Sequence, residues 1–253
     1  MSAHRRAALR WPGVTRTITD AAGEFYFDKQ EADRACDFFT EYLTHHKGEF
    51  DGAPFRLADW QRELIIRPLF GWKRRSNRLR RFRKVYVEIP KKNGKTKISA
   101  GIGLFVLYCD KEPGAEIICA AADRDQAALV FDDAKTMVED SGELSSMSEI
   151  YRRSIVYAAT RSSFKVVSAD VRSKHGPNIH CLIIDEFHAQ PDRELYDTLS
   201  KGVAARRQPL VILITTAGDD QESVCRDEHD YAELVMADGR EDESFLPVIF
   251  GTA

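Results

Sequence analysis

The chain has 253 residues, 43% hydrophobic and 30% charged, the balance of an ordinary globular protein with enough length to bury the core of one α/β domain or two small ones. Its net charge of -3 gives the surface as a whole no attraction for nucleic acid, so such contact needs a local basic patch or an assembled ring. The longest apolar stretch, Ile98 to Cys109, falls short of the about 20 residues of a membrane-crossing helix, and the basic N-terminus has no apolar segment after it to make a signal peptide. Cys36, Cys109, Cys119, Cys181 and Cys225 lack CxxC spacing, so no zinc site is expected and they read as buried reduced thiols.

Residues 1–24 form an uncommitted, flexible arm in which Pro12, Gly13 and Gly23 break any pattern. Ala32, Ala35, Cys36, Phe39 and Leu43 recur at helical spacing, which predicts a helix from Lys29 to His46; a turn follows over Gly48–Pro54, then a second helix over Ala58–Phe70 carrying Trp60, Leu64 and Ile65. From Lys84 strands and helices alternate. Strands are predicted at Lys84–Ile89, Glu116–Ala121, His180–Ile184 and Leu210–Thr215, with helices at Lys95–Tyr108, Arg124–Val138 and Asp192–Ala205. The Lys95 helix is apolar nearly all round, hence buried. Ser154–Ala158 and Phe164–Ser168 read as a hairpin pair, and after a polar run Phe245–Phe250 is a last strand. Such alternation predicts a mostly parallel sheet flanked by helices, with ligand sites at the carboxyl ends of the strands.

The segment from Val85 to Thr96 joins a strand to a helix through Pro90-Lys-Lys-Asn-Gly94. A turn there exposes backbone N–H groups at a helix N-terminus, which suits a polyphosphate. Gly94 lets the backbone approach without a Cβ, Lys95 reaches the β- and γ-phosphates, and the Thr96 hydroxyl binds Mg²⁺. Ile89 stands where the strict P-loop pattern has its first glycine, so a plain Asn-Gly turn before a helix is the competing reading. The second half of the site is the apolar strand ending in Asp185 and Glu186: Asp185 holds the metal and Glu186 polarises the attacking water, unless both are solvated acids at a helix approach. Thr215 and Thr216 at the end of a third strand either sense the γ-phosphate or simply finish that strand.

Taken together, these residues resemble the terminase large subunits of tailed phages. Pro90-Lys-Lys-Asn-Gly-Lys-Thr is similar to that family's variant P-loop. Leu57-Ala-Asp-Trp60-Gln61 resembles its adenine-reading motif, and Phe70-Gly-Trp72, Ala120-Ala-Ala-Asp-Arg-Asp-Gln126-Ala127, Gly176-Pro-Asn178, Asp185-Glu-Phe-His188 and Thr215-Thr216 follow in the family's order over roughly residues 25–250. The resemblance implies a P-loop NTPase fold of the RecA/ASCE kind with a helical N-terminal extension, occupying 25–250. The stretch 236–253 would begin a linker to a C-terminal nuclease domain that this chain lacks, so no DNA cutting is expected. It also implies ATP and Mg²⁺ as cofactors, Lys91, Lys92 and Asn93 beside Gly94–Thr96 at the phosphates, Trp60 and Gln61 at adenine, and Thr215 and Thr216 in the coupling motif. Lys91 stands where the family usually has Arg, keeping the charge without the bidentate fork. Implied partners are double-stranded DNA, a portal protein, the terminase small subunit and other copies of the chain in a ring, usually a pentamer, working in the host cytoplasm without a membrane.

An arginine finger acting in trans is implied as well; Arg172 is the first choice, Lys174 the second and Arg124 an outsider, against a solvated loop. The basic run from Lys73 to Lys84, with Arg74, Arg75, Arg78, Arg80, Arg81 and Arg83, reads as a non-specific duplex grip, or as a charged loop facing solvent or an adjacent subunit; Arg206 and Arg207 make a smaller patch. His188 is either a coupling residue or a strand-end packing residue. Two other functions fit parts of the pattern: a DExH-type helicase, which usually needs two tandem motor folds, and a nucleotide-binding scaffold without turnover.

Overall fold

The structure, a computed structural model, describes residues 7–11, 14–18, 20, 22–121, 124–167, 178–190, 192–218 and 222–250. Its strands are β1 (Ala7–Trp11), β2 (Val14–Ile18), β3 (Phe25–Phe27), β4 (Trp72–Arg74), β5 (Lys84–Glu88), β6 (Glu116–Ala120), β7 (Ser148–Ile150), β8 (Ser154–Tyr157), β9 (Ser162–Val167), β10 (Ile179–Ile184), β11 (Leu210–Thr215) and β12 (Phe245–Ile249). The helices are α1 (Lys29–Tyr42), α2 (Arg67–Gly71), α3 (Lys95–Cys109), α4 (Arg124–Asp140), α5 (Gly142–Ser146), α6 (Glu194–Val203) and α7 (Val224–Met236). Among the described residues no helix is long and apolar enough to cross a membrane.

The central sheet has eight strands in the order β12-β5-β11-β10-β6-β9-β8-β7. From β12 to β9 every pairing is parallel, and β8 and β7 close one edge antiparallel, β8–β9 being the hairpin pair expected from sequence. The central strands are apolar on both faces, as parallel strands covered by helices on each side must be. Val85, Val87, Cys181, Ile183, Ile212 and Ile214 point into a core beneath α1–α5, while Tyr86, Leu182, Ile184 and Leu213 join a second core under α6 and α7. Helix α3 lies in the first core with 11 of its 15 residues buried, so it has no polar face. Gly101 and Gly103 let it settle there: a Cβ at Gly101 would collide with the Phe39 ring, and one at Gly103 would lie 2.8 Å from Phe164. Register fixes the site, because Glu88 pairs with Thr215 and with Ile249, and Ile184 with Leu213 and Ala120. The residues that follow these strand ends therefore emerge along one edge.

Several elements differ from the sequence reading. The helix expected over 58–70 runs as a π-helical stretch, Gln61–Ile66, before α2. Within the stretch read as an arm, β1 and β2 pair antiparallel and Ile18 is buried in the first core. Helix α7 replaces the expected polar run: Ser223 caps it by accepting the Arg226 N–H, and Val224, Cys225, Glu228, Ala232 and Val235 form its buried stripe. That stripe holds helical spacing but includes a glutamate, neutralised by Lys84 at 2.6 Å, which masks it in a polarity scan. Strands β3 and β4 pair antiparallel and are too short to carry a periodic signal.

Candidate active site

Strand β5 ends at Glu88, and the Ile89 N–H still donates to Thr215 O at 3.1 Å, so the chain leaves the sheet only at Pro90. The loop then turns through two left-handed residues, Lys92 (φ 68°) and Gly94 (φ 73°, ψ 25°). Glycine adopts that conformation without the steric penalty of a Cβ. Asn93 ties the turn down by donating from Nδ2 to the carbonyls of Pro90 (3.1 Å) and Lys91 (3.3 Å). Lys91, Lys92 and Asn93 are exposed at the loop tip, and α3 begins at Lys95 with its unpaired N-terminal amides directed at the loop.

The two halves of the site, separated in sequence by four strands, meet. Lys95 is 7% exposed and its Nζ lies 3.8 Å from Glu186 Oε1. The Thr96 hydroxyl donates to Asp185 Oδ2 at 3.2 Å, and Asp185 Oδ1 accepts the Glu186 N–H at 2.9 Å. Asp185 is 3% exposed; burial pushes its carboxyl up to about 6, with the Glu186 charge adding to the rise, while the Glu186 N–H, Thr96 and Lys95 pull the other way. A hydroxyl and a buried, under-bonded carboxylate side by side form the oxygen donor set that a hard divalent ion takes through two protein ligands and water, so the residues present fit Mg²⁺. Glu186 itself sits at φ 48°, ψ 51°, a left-handed conformation costly for a non-glycine residue. The 3₁₀ turn Phe187–Ala189 holds it there, anchored by the fully buried Phe187 ring edge-on to Tyr196 at 5.5 Å.

Thr215, the last residue of β11, and Thr216 after it are both buried. His188 connects to them: its N–H donates to Thr215 Oγ1 at 3.1 Å, and its Nδ1 lies 3.0 Å from the same oxygen and 3.3 Å from Glu186 Oε2. Gln61 packs behind the loop, accepting the Ala58 N–H at 3.0 Å and reaching Asn93 O with Nε2 at 3.5 Å. Trp60 is half-buried and meets the Phe250 ring edge-on at 5.1 Å. Phe250 had no sequence signal as a site residue, since only the register of β12 brings it to this edge. Arg172 and Lys174 lie outside the described residues, as does the side chain of Arg124.

The basic segment divides. Arg80 and Arg81 are corrected from the DNA-facing set: they are 1% and 4% exposed and make internal contacts. Arg80 donates to both Asp110 oxygens (2.6 and 2.5 Å) and to Gln208 O (2.7 Å). Arg81 donates to Glu243 O at 3.0 Å and lies over the Phe25 ring at 4.3 Å. Lys73 is likewise buried, while Arg75 and Arg78 are exposed and Arg74 is half-buried over Phe25. Arg206 is half-buried and also makes internal contacts, bonded to Glu112 at 3.2 Å and to the Pro113 carbonyl at 3.1 Å.

A strand–turn–helix presenting Lys95 and Thr96, with the acidic strand β10 set one strand away from β5 because β11 lies between them, defines a P-loop NTPase of the additional-strand class. The chain belongs to the family described as terminase large subunit, ATPase domain, which it matches over residues 59–234. It is 26% identical over 189 residues to the terminase large subunit of Enterobacteria phage HK97, a match covering 73% of this chain and 36% of that protein. It is also 39% identical over 75 residues to protein YmfN of Escherichia coli K12, covering 29% of this chain and 16% of that one. The crystal structure of the HK97 large terminase has the same fold, with a TM-score of 0.73 at 22% identity, covering 88% of this chain and 44% of the other. The chain thus spans less than half the length of the HK97 relative.

Proposed function

We propose that this chain binds ATP with Mg²⁺ and hydrolyses it to ADP and phosphate, driving double-stranded viral DNA into a procapsid. The observation that carries this reading is the meeting of Lys95 with Glu186 and of Thr96 with Asp185, brought together at one edge of the sheet from strands that β11 separates. In this reading the amides around Gly94 and the Lys95 ammonium hold the β- and γ-phosphates, with Lys91, Lys92 and Asn93 along the loop, and Trp60 and Gln61 stand on the adenine side. Thr96 and Asp185 hold the metal, which when bound neutralises charge on the phosphate oxygens. Lys95 exchanges its Glu186 partner for phosphate, and the freed Glu186 carboxylate orients the attacking water. Thr215 and Thr216, bonded to the Glu186 turn through His188, transmit the state of the site to the rest of the sheet.

Family membership supports a motor that works as a ring, with Arg172, then Lys174, as the residue contributed to a neighbouring copy, and with DNA, the portal protein and the terminase small subunit as partners in the host cytoplasm. Arg74, Arg75, Arg78 and Arg83 are the members of the basic run left to contact a duplex. Phosphate release in the presence of Mg²⁺ and DNA tests the reading. The wild-type chain should turn over and Glu186→Gln should not; equal release by both would remove the assignment.

A further inference from the structure

Thr215 Oγ1 has one proton, and it is donated to the Thr216 carbonyl at 2.8 Å. The His188 backbone N–H donates to the same oxygen at 3.1 Å, and with the hydroxyl proton on the Thr216 carbonyl the Nδ1 contact at 3.0 Å is a donation as well. In that arrangement the ring proton facing the site is on Nδ1. Among the described residues, Glu186 Oε2 is buried with no hydrogen-bond partner, yet it lies 3.3 Å from the same Nδ1. Within that distance the two atoms do not form an aligned hydrogen bond. A small rotation of the half-exposed imidazole carries the donor from one oxygen to the other.

We infer that His188 is a positioning residue whose single Nδ1–H is shared between Thr215 and the Glu186 carboxylate, so that a shift of the β11 end hands the donor to Glu186 and sets it for water activation. The inference rests on the ATPase reading for its consequence, though not for its geometry. Three further observations point the same way. Glu186 is held in a left-handed conformation that directs its side chain back toward His188 and Lys95. Its other oxygen faces Lys95 at 3.8 Å, so that contact is not available to fix Oε2. The loop after Thr216 packs on the histidine, since a Cβ at Gly218 would lie 3.1 Å from His188 Cβ, and movement of that loop is felt directly by the ring.

The test uses the full chain. Asparagine places an amide N–H near the position of Nδ1, glutamine places it further out where Nε2 would be, and alanine removes it. In phosphate release, His188→Ala should lower kcat roughly 10- to 100-fold, the range expected for a lost bond to a charged group. KM for ATP and the affinity for a fluorescent ATP analogue should stay within a few fold. His188→Asn should recover most of kcat and His188→Gln should not. Wild-type kcat in His188→Ala, or equal rates in the asparagine and glutamine variants, overturns the inference. A readout independent of turnover separates its failure from that of the ATPase reading. Ring ¹⁵N chemical shifts should show His188 carrying its proton on Nδ1, and Thr215→Val should change those shifts. The opposite tautomer, or indifference to Thr215→Val, overturns the link even in a chain that hydrolyses nothing, and a silent wild type with the expected shifts removes only the ATPase reading.

Discussion

Strand β10 carries a buried acid–base cluster at each end, and the two are built oppositely. At its start His180 donates to Asp110 Oδ2 at 2.9 Å while Arg80 grips both Asp110 oxygens, and these side chains are 0–7% exposed. Burial alone would raise the Asp110 carboxyl, but Arg80 and His180 reverse the effect and hold it below its usual range. At the strand's other end Asp185 is as deeply buried but has only a threonine hydroxyl and one backbone N–H, and its carboxyl rises to about 6. A buried acid saturated by cations is a structural clamp, whereas one left short of cations is built to receive one. Both clusters hold charges that would read alike in a sequence.

Breaking the clamp should produce the largest effect. Arg80→Met leaves Asp110 charged and buried beside His180 alone, and should cost about 3–5 kcal/mol in denaturant unfolding. An unchanged unfolding midpoint would mean that the two ends of β10 do not differ as argued. At the Asp185 end, Glu186→Gln should lower phosphate release about 10²–10³-fold with little change in stability, read by steady-state assay and thermal unfolding in parallel.

Asp185 supplies the sharper contrast, since its removal should stabilise. Its carboxyl titrates near 6 in the fold against an ordinary 3.8, so between those pH values the folded chain keeps a proton that the unfolded chain has released. Stability therefore falls as pH rises through that window. Asp185→Asn, which cannot ionise, should raise the stability of the chain without nucleotide by about 1–3 kcal/mol at neutral pH. The gain should vanish below about pH 4, and Mg²⁺ with ATP should stabilise the wild type more than the variant. A pH-independent difference would contradict the burial argument. The smallest effect is expected on the surface: Arg75→Ala and Arg78→Ala should change stability by less than about 0.5 kcal/mol while weakening salt-sensitive duplex binding. Arg81→Ala, by contrast, should lose stability through its buried contacts with Glu243 and Phe25.

The sequence by itself determined the parallel sheet, because apolar strands bounded by turns and separated by amphipathic or buried helices have few other ways to cover both faces. It also pointed to the strand ends, since Gly94-Lys95-Thr96 and Asp185-Glu186 are local patterns, and the structure brings the two together. Tertiary structure decided what local pattern could not. Arg80 and Arg75 belong to one basic run in the sequence, yet only packing against Asp110 and Gln208 makes the first structural and leaves the second in solvent. His188 met the end of β11 only in the folded chain, and Phe250 came to Trp60 only through the register of β12 on β5. Helix α7 was obscured because a buried glutamate looks like a surface one until Lys84 is found beside it. In each case the deciding quantity is a partner distant along the chain, and burial or pairing by such a partner sets whether a charge is solvated, clamped or left ready for chemistry.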